Sequence, residues 1–164
     1  ALCESAAGVL AAPALAASDG VVALMWGAED LVASLGGTSS RFDDGGYRDI
    51  ARTARANVLL AAGAAGIPAI DTVHLDIDDL DGLRAEADDA AASGFAATAC
   101  IHPSHAAVIR EAYRPTPAQI DHARRVLDAA AGHASDGHSG VFRFEGSMVD
   151  GPVLRHAESV LRRA

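Results

Sequence analysis

Short apolar runs alternate along the chain with longer alanine-rich or amphipathic stretches, which is the pattern of strands and helices in turn. Residues 21–26, Val-Val-Ala-Leu-Met-Trp, lie between Asp19-Gly20 and Gly27 and read as a strand buried on both faces. Residues 67–73 and 96–101 repeat that pattern, with Pro68 acceptable only at the start of its strand or on an edge. Ala1-Leu2-Cys3 reads as the end of a further buried strand whose beginning is absent. Helices are predicted over 9–18, with Pro13 tolerated near a first turn, over 29–35, ended by Gly36-Gly37, and over 47–65, ended by Gly66. Two more follow at 80–92 and from Pro103 to about Tyr113. Residues 37–46, polar and glycine-rich, have the composition of a mobile lid.

After Arg114-Pro115-Thr116-Pro117 the pattern changes. A helix over 117–131 leads to a Gly/Ser/His/Asp loop over 132–140, then Val141-Phe142-Arg143-Phe144 reads as a short strand or hairpin arm and Glu145-Gly146 as its turn. Residues 151–163 form an amphipathic helix with Val153, Leu154, Ala157, Val160 and Leu161 on one stripe, which must pack on something.

Strands alternating with helices predict a parallel sheet. The expected class is therefore α/β: about four βα units over 1–114, with a helical extension over 115–164. A complete (β/α)8 barrel needs roughly 250 residues, so a 164-residue chain reads as the second half of a TIM barrel, lacking the first strands. In such a sheet active residues lie where strand C-termini meet the following loops. Glu4, Asp30 and His102 all occupy such places.

Composition narrows the function. Half of the residues are hydrophobic and 21% are charged, enough apolar surface for a folded core. A net charge of −9 without a local basic patch argues against nucleic acid and against anionic membrane surfaces as partners. No apolar run approaches spanning length, so a cytoplasmic protein is expected. Cys3 and Cys100 lack CxxC spacing, so neither a disulfide framework nor a zinc site is expected, and Cys100 reads as strand packing.

Glu4 and Asp30 stand about one βα repeat apart and would project from neighbouring strand ends toward one mouth. Two hard carboxylates there suit Mg²⁺, which leaves its other positions to water and substrate. The plainer reading pairs Glu4 with an arginine elsewhere and makes Asp30 a helix cap, and spacing alone favours it. Gly27 permits a tight turn, and the amides of Ala28, Glu29 and Asp30 at a helix start suit a substrate carboxylate; a plain turn with acidic first-turn residues explains them equally. Asp150, before Gly151-Pro152, reads as the N-cap of the last helix. His102 and His105 make a short pair without a third ligand, a spacing common by chance, so metal binding is not the favoured reading. His133 and His138 read as solvated loop residues. Asp76, Asp78, Asp79 and Asp81 fail the spacing of a calcium loop and read as a helix start. Among Arg41, Arg48, Arg52 and Arg55, candidates for phosphate contacts, the last three sit on a helix face where solvation is expected, and Arg41 lies in the loop.

Four ordered segments carry a resemblance. Leu2-Cys3-Glu4-Ser5-Ala6-Ala7-Gly8, Met25-Trp26-Gly27-Ala28-Glu29-Asp30-Leu31, Ala65-Gly66-Ile67-Pro68-Ala69-Ile70-Asp71, and Gly94-Phe95 with Cys100-Ile101-His102-Pro103-Ser104 are similar, in order and spacing, to the citrate lyase beta subunit-like branch of the HpcH/HpaI aldolase superfamily. The tail from Phe144 to Pro152 resembles that branch's C-terminal segment. The resemblance implies a Mg²⁺-dependent carbon–carbon lyase that cleaves a 3-hydroxyacyl-CoA of citramalyl, malyl or citryl type into acetyl-CoA and a 2-oxo acid. It implies Glu4 and Asp30 as magnesium ligands, with Glu4, Gly27, Ala28, Glu29, Asp30 and His102 against the CoA thioester. It further implies Asp150 as the catalytic acid or base, delivered to a neighbouring subunit's site in a trimer-type homo-oligomer. Thioester hydrolysis at the same site, or an inactive fragment serving in assembly, are the alternatives.

Overall fold

The computed structural model describes residues 1–135 and 140–164. They form two compact units, Ala1–Ala112 and Tyr113–Ala164.

In the first unit four short strands, β1 (Leu2–Cys3), β2 (Leu24–Trp26), β3 (Ala69–Asp71) and β4 (Ala97–Thr98), pair in parallel in the order β1-β2-β3-β4. Sequential parallel neighbours require a crossover after each strand. These are α1 (Ala6–Leu10) and α2 (Ala12–Ala16), then α3 (Ala28–Ser34) and α4 (Asp49–Ala65), then α5 (Leu80–Ser93), with α6 (His105–Ala112) after β4. The fold is α/β, built of consecutive βα units as expected.

The register assigns the two faces of the sheet. Leu2 pairs with Met25, Met25 with Ile70 and Ile70 with Ala97. The adjoining row, Cys3, Trp26 and Asp71, lies under the helices and is 0%, 0% and 5% exposed. The first row faces the other way, and its Leu2 is 49% exposed. Because side chains alternate along a strand, Glu4 and Gly27, each one residue beyond the buried row, fall on the same side as Leu2 and Met25.

The helix layer is closed by small side chains. Ala51, Ala54, Val58, Ala61 and Ala62 line the buried face of α4, and Leu83, Ala87 and Ala90 that of α5, at the three- and four-residue steps that place them on one stripe. Alanine lets these helices approach the strands closely. Gly66 (φ +70°) and Gly94 (φ +109°) end α4 and α5 in the left-handed conformation that a Cβ disfavours.

Three local expectations change. The helix expected over 9–18 is two short helices meeting at Ala11, because Pro13 has no N–H to give the Val9 carbonyl and its ring crowds that turn. The strands are shorter than the apolar runs that signalled them, since only residues with a ladder partner are held extended; Val22, without one, is 77% exposed. Cys100 lies beyond β4 and is exposed rather than packed.

In the second unit α7 (Pro117–Ser135) packs on α8 (Gly151–Arg162), with a hairpin of β5 (Phe142–Phe144) and β6 (Ser147–Val149) between them in sequence. Ala123, Val126, Val149, Ala157 and Val160 are its core, ringed by Ile120, Phe142, Phe144, Val153 and Leu161. The helix continues through Gly132, so His133 is helical, its ring stacked on Phe142 at 4.8 Å, and not in a loop. His138 lies outside the described residues. The hairpin tip places Glu145 at φ +48°, a backbone that costs a non-glycine residue roughly 1–2 kcal/mol. Among the described residues no helix is long and apolar enough to cross a membrane.

Candidate functional site

The turn out of β1 and the turn out of β2 meet at Gly27. Gly27 is the N-cap of α3 with φ −126°, a conformation open to any residue, so the reason for glycine is space. A Cβ there would stand 3.1 Å from Glu4 Cβ, 3.4 Å from Glu4 Oε2 and 3.8 Å from Asp30 Oδ2. Both carboxylates therefore reach within 4 Å of one point, kept empty by the missing side chain. Glu4 is half-buried and Asp30 is exposed. Among the described residues neither has an ion-pair or hydrogen-bond partner, so the arginine partner for Glu4 and the capping role for Asp30 are not what the structure holds.

Two carboxylates opening on one gap, with no cationic side chain beside them, make that gap attractive to a positive ion. Among the described residues no group of three His, Cys, Asp or Glu side chains could hold a metal, which disfavours ions that need a full protein cage. A hard cation that takes one or two carboxylates and fills its sphere with water and substrate fits this donor set.

The neighbouring residues divide. Ala28 is buried at the start of α3, and no side chain caps the helix. The Glu29 carboxylate turns away and accepts a hydrogen bond from Ser40, which is 1% exposed. That bond anchors the loop expected to be a lid. Arg41 completes the anchoring by donating to Gly45 O (2.8 Å) and Tyr47 Oη (2.6 Å) and by pairing with Glu86, with its guanidinium 3.9 Å from the Tyr47 ring centroid. Burial, reinforced by Glu86, pushes the Tyr47 phenol well above its ordinary pKa, so it stays a neutral acceptor for Arg41. Burial opposes the Arg41 charge, but its bond to Glu86 outweighs that and holds it protonated. The loop is stapled, and its arginine is engaged within the fold.

His102 stands on the exposed turn after β4, where Nδ1 accepts from the Ser104 hydroxyl (2.7 Å) and amide (3.3 Å). His105 is fully buried and donates from Nε2 to Ile77 O (3.2 Å), so it packs within the first unit. Asp79 caps α5 by accepting from Gly82 N (2.9 Å), so the aspartate cluster is a helix start. Asp150 caps α8, accepting from Val153 N at 3.3 Å.

Sequence reasoning missed the pair that supports this mouth from behind. Asp71 accepts from Trp26 Nε1 (2.5 Å) and from Arg55 Nη2 (2.7 Å), and Arg55 also reaches Asp89 (2.6 Å) and lies over Phe95. Burial opposes the Arg55 charge, but the bonds and charges of Asp71 and Asp89 prevail and raise its pKa further. Arg55 is thus an internal tie and not a solvated helix residue. A buried indole next to Gly27 needs an acceptor, and that was the available signal.

Residues 1–103 match the HpcH/HpaI aldolase/citrate lyase family. Over all 164 residues the chain is 57% identical to a citrate lyase subunit beta-like protein of Mycobacterium tuberculosis, covering 58% of it. It is 39% identical over 142 residues, 87% of the chain, to mitochondrial citramalyl-CoA lyase of Mus musculus, covering 40% of that protein. The structure superposes on that of M. tuberculosis CitE in complex with magnesium, acetoacetate and coenzyme A with a TM-score of 0.88 and 56% identity, over 99% of this chain and 59% of the other. A citrate lyase from Burkholderia xenovorans gives a TM-score of 0.82 at 27% identity, over 99% of this chain and 51% of the other. The chain spans little more than half the length of these bacterial relatives and less of the mouse enzyme, and with the family match over most of its residues it belongs to the HpcH/HpaI aldolase/citrate lyase family.

Proposed function

We propose that the chain is part of a Mg²⁺-dependent lyase that cleaves the carbon–carbon bond of a 3-hydroxyacyl-CoA, giving acetyl-CoA and a 2-oxo acid. One observation carries this reading: the Glu4 and Asp30 carboxylates converge on the gap above Gly27 without a cationic side chain between them. Relatives bound to magnesium, to coenzyme A and to acetoacetate or pyruvate support it.

Glu4 and Asp30 would hold the ion at the mouth of the sheet, and Gly27 keeps the space between them clear. Bound there, Mg²⁺ supplies positive charge to the oxygen on which negative charge accumulates as the carbon–carbon bond breaks. The amides of Ala28 and Glu29, uncapped at the head of α3, orient the carboxylate of the oxo-acid half. Glu29 contributes by holding Ser40 and with it the loop beside the site. His102 borders the thioester end. The net proton moves from the substrate hydroxyl to the methyl carbon of the departing acetyl group, and Asp150, supplied by a neighbouring copy in a trimer-type assembly, hands it over.

Incubating the full-length protein with citramalyl-, malyl- and citryl-CoA, with Mg²⁺ or with chelator, tests the reading. Acetyl-CoA and the 2-oxo acid should form only with the metal. Free CoA released without carbon–carbon cleavage would make the site a thioesterase, and no turnover of any of the three would overturn the assignment.

Gly27→Ala probes the gap alone. Its backbone suits alanine, so folding should be little changed, while the new methyl group presses on Glu4 and should weaken Mg²⁺ binding about tenfold, as shifts of supporting groups around a metal do. Titration calorimetry reads this directly. Unchanged affinity would mean that the ion does not sit between the two carboxylates.

A further inference from the structure

Glu145 is the one non-glycine residue with a left-handed backbone among the described residues. It forms with Gly146 (φ +83°) a two-residue connection closed by the Phe144–Ser147 pair, a turn in which both positions need positive φ. Asn, Asp or Gly meets that demand, and glutamate does not. The Glu145 carboxylate is held instead by α7, where Oε1 accepts from Arg125 and Oε2 lies 3.5 Å from His122 Nδ1. Arg125 is itself steadied by Asp121 at 3.0 Å. Arg125 and Glu145 are 48% and 41% exposed, and so open a pair stabilises weakly. The left-handed backbone costs at least as much, so stability does not account for the combination. Position does. The hairpin is fixed at its tip by Glu145 and at its base by Phe142, stacked on His133, and by Val149, which is 2% exposed in the core. The next residue is Asp150, whose carboxylate opens α8.

We propose that Glu145 is a positioning residue for Asp150: by clamping the hairpin tip to Arg125 and His122 it fixes the strand that presents the Asp150 carboxyl. The inference rests on the reading of Asp150 as the group that hands over the proton. Glu145→Gly removes the clamp and relieves the backbone, so the melting temperature should move by no more than about 2 °C. Amide hydrogen exchange at Val149 and Val153 should nevertheless quicken about tenfold, the mark of a locally loosened segment. In the full-length protein kcat should fall about tenfold with KM unchanged, and Glu145→Gln, whose carbonyl still accepts from Arg125, should recover most of the loss. Unchanged exchange, or a fall in kcat/KM that lies in KM, overturns the proposal. Asp150→Asn, which keeps the helix cap, separates the two claims. If it abolishes kcat while Glu145→Gly changes neither exchange nor kcat, the clamp is wrong and the role of Asp150 stands; if it leaves kcat intact, that role falls and the catalytic meaning of the clamp falls with it.

Discussion

Glu4→Gln and Asp30→Asn should each lower kcat/KM for hydroxyacyl-CoA cleavage on the order of a thousandfold, the scale on which sites lose a group aimed at developing charge. Mg²⁺ affinity should fall with it. Folding should not suffer, because among the described residues neither carboxylate pairs with a cation or accepts a hydrogen bond, so neutralising either one breaks no contact of the fold. Equal denaturation midpoints with lost metal binding, read by urea titration and by calorimetry on the same samples, would be the joint signature. If either variant kept both turnover and metal affinity, the two-carboxylate site would be wrong however well the fold matched. The same measurement discriminates the metal reading from the plainer one that spacing first favoured, since loss of an ion pair or a helix cap would lower the midpoint instead.

What the sequence made legible was whatever a short window determines. Runs such as residues 21–26 and 67–73 announced strands because they are short, mostly apolar stretches set beside glycine turns and too short for helices, and Gly66 announced the end of a helix because only a left-handed residue closes it there. The convergence of Glu4 and Asp30 was also readable, because parallel βα units repeat at nearly constant length and each strand end opens on the same side. The partner of a charged side chain was not readable, since it depends on register and helix phase across the fold. Glu29 sits in the same first turn as Asp30, yet its carboxylate bonds Ser40 across to the following loop. Arg55 shares a helix with Arg52, which pairs with its neighbour Asp49 near the surface, whereas Arg55 points to β3. Two misses had signals that were present. Pro13, four residues after Val9, already forbade one continuous helix. Glu145-Gly146 was read as a turn, but its two-residue length between Phe-Arg-Phe and Ser-Met-Val also implied a glutamate at positive φ, and that was not read.

Arg55→Met should cost about 3–5 kcal/mol in urea denaturation, because it leaves the Asp71 carboxylate uncompensated in the interior. Burial decides which of the two carboxylate partners matters. The Asp71 side chain is 7% exposed and that of Asp89 62%, so Asp89→Asn should cost under about 1 kcal/mol. Combining Arg55→Met with Asp71→Asn removes both charges and retains an oxygen for the Trp26 indole, so the double variant should lose only about 1–3 kcal/mol, less than Arg55→Met alone. A double variant as unstable as the sum of its parts would show that packing around Arg55, and not charge, carries the effect. The metal site is coupled to this tie through one residue. Trp26 donates to Asp71 and directly precedes Gly27, so an Asp71 drawn out of place by its own solvation releases the indole that fixes the start of the Gly27 turn. Mg²⁺ affinity in Arg55→Met should therefore drop along with stability, while in the double variant, where the indole keeps its acceptor, affinity should return further than stability does.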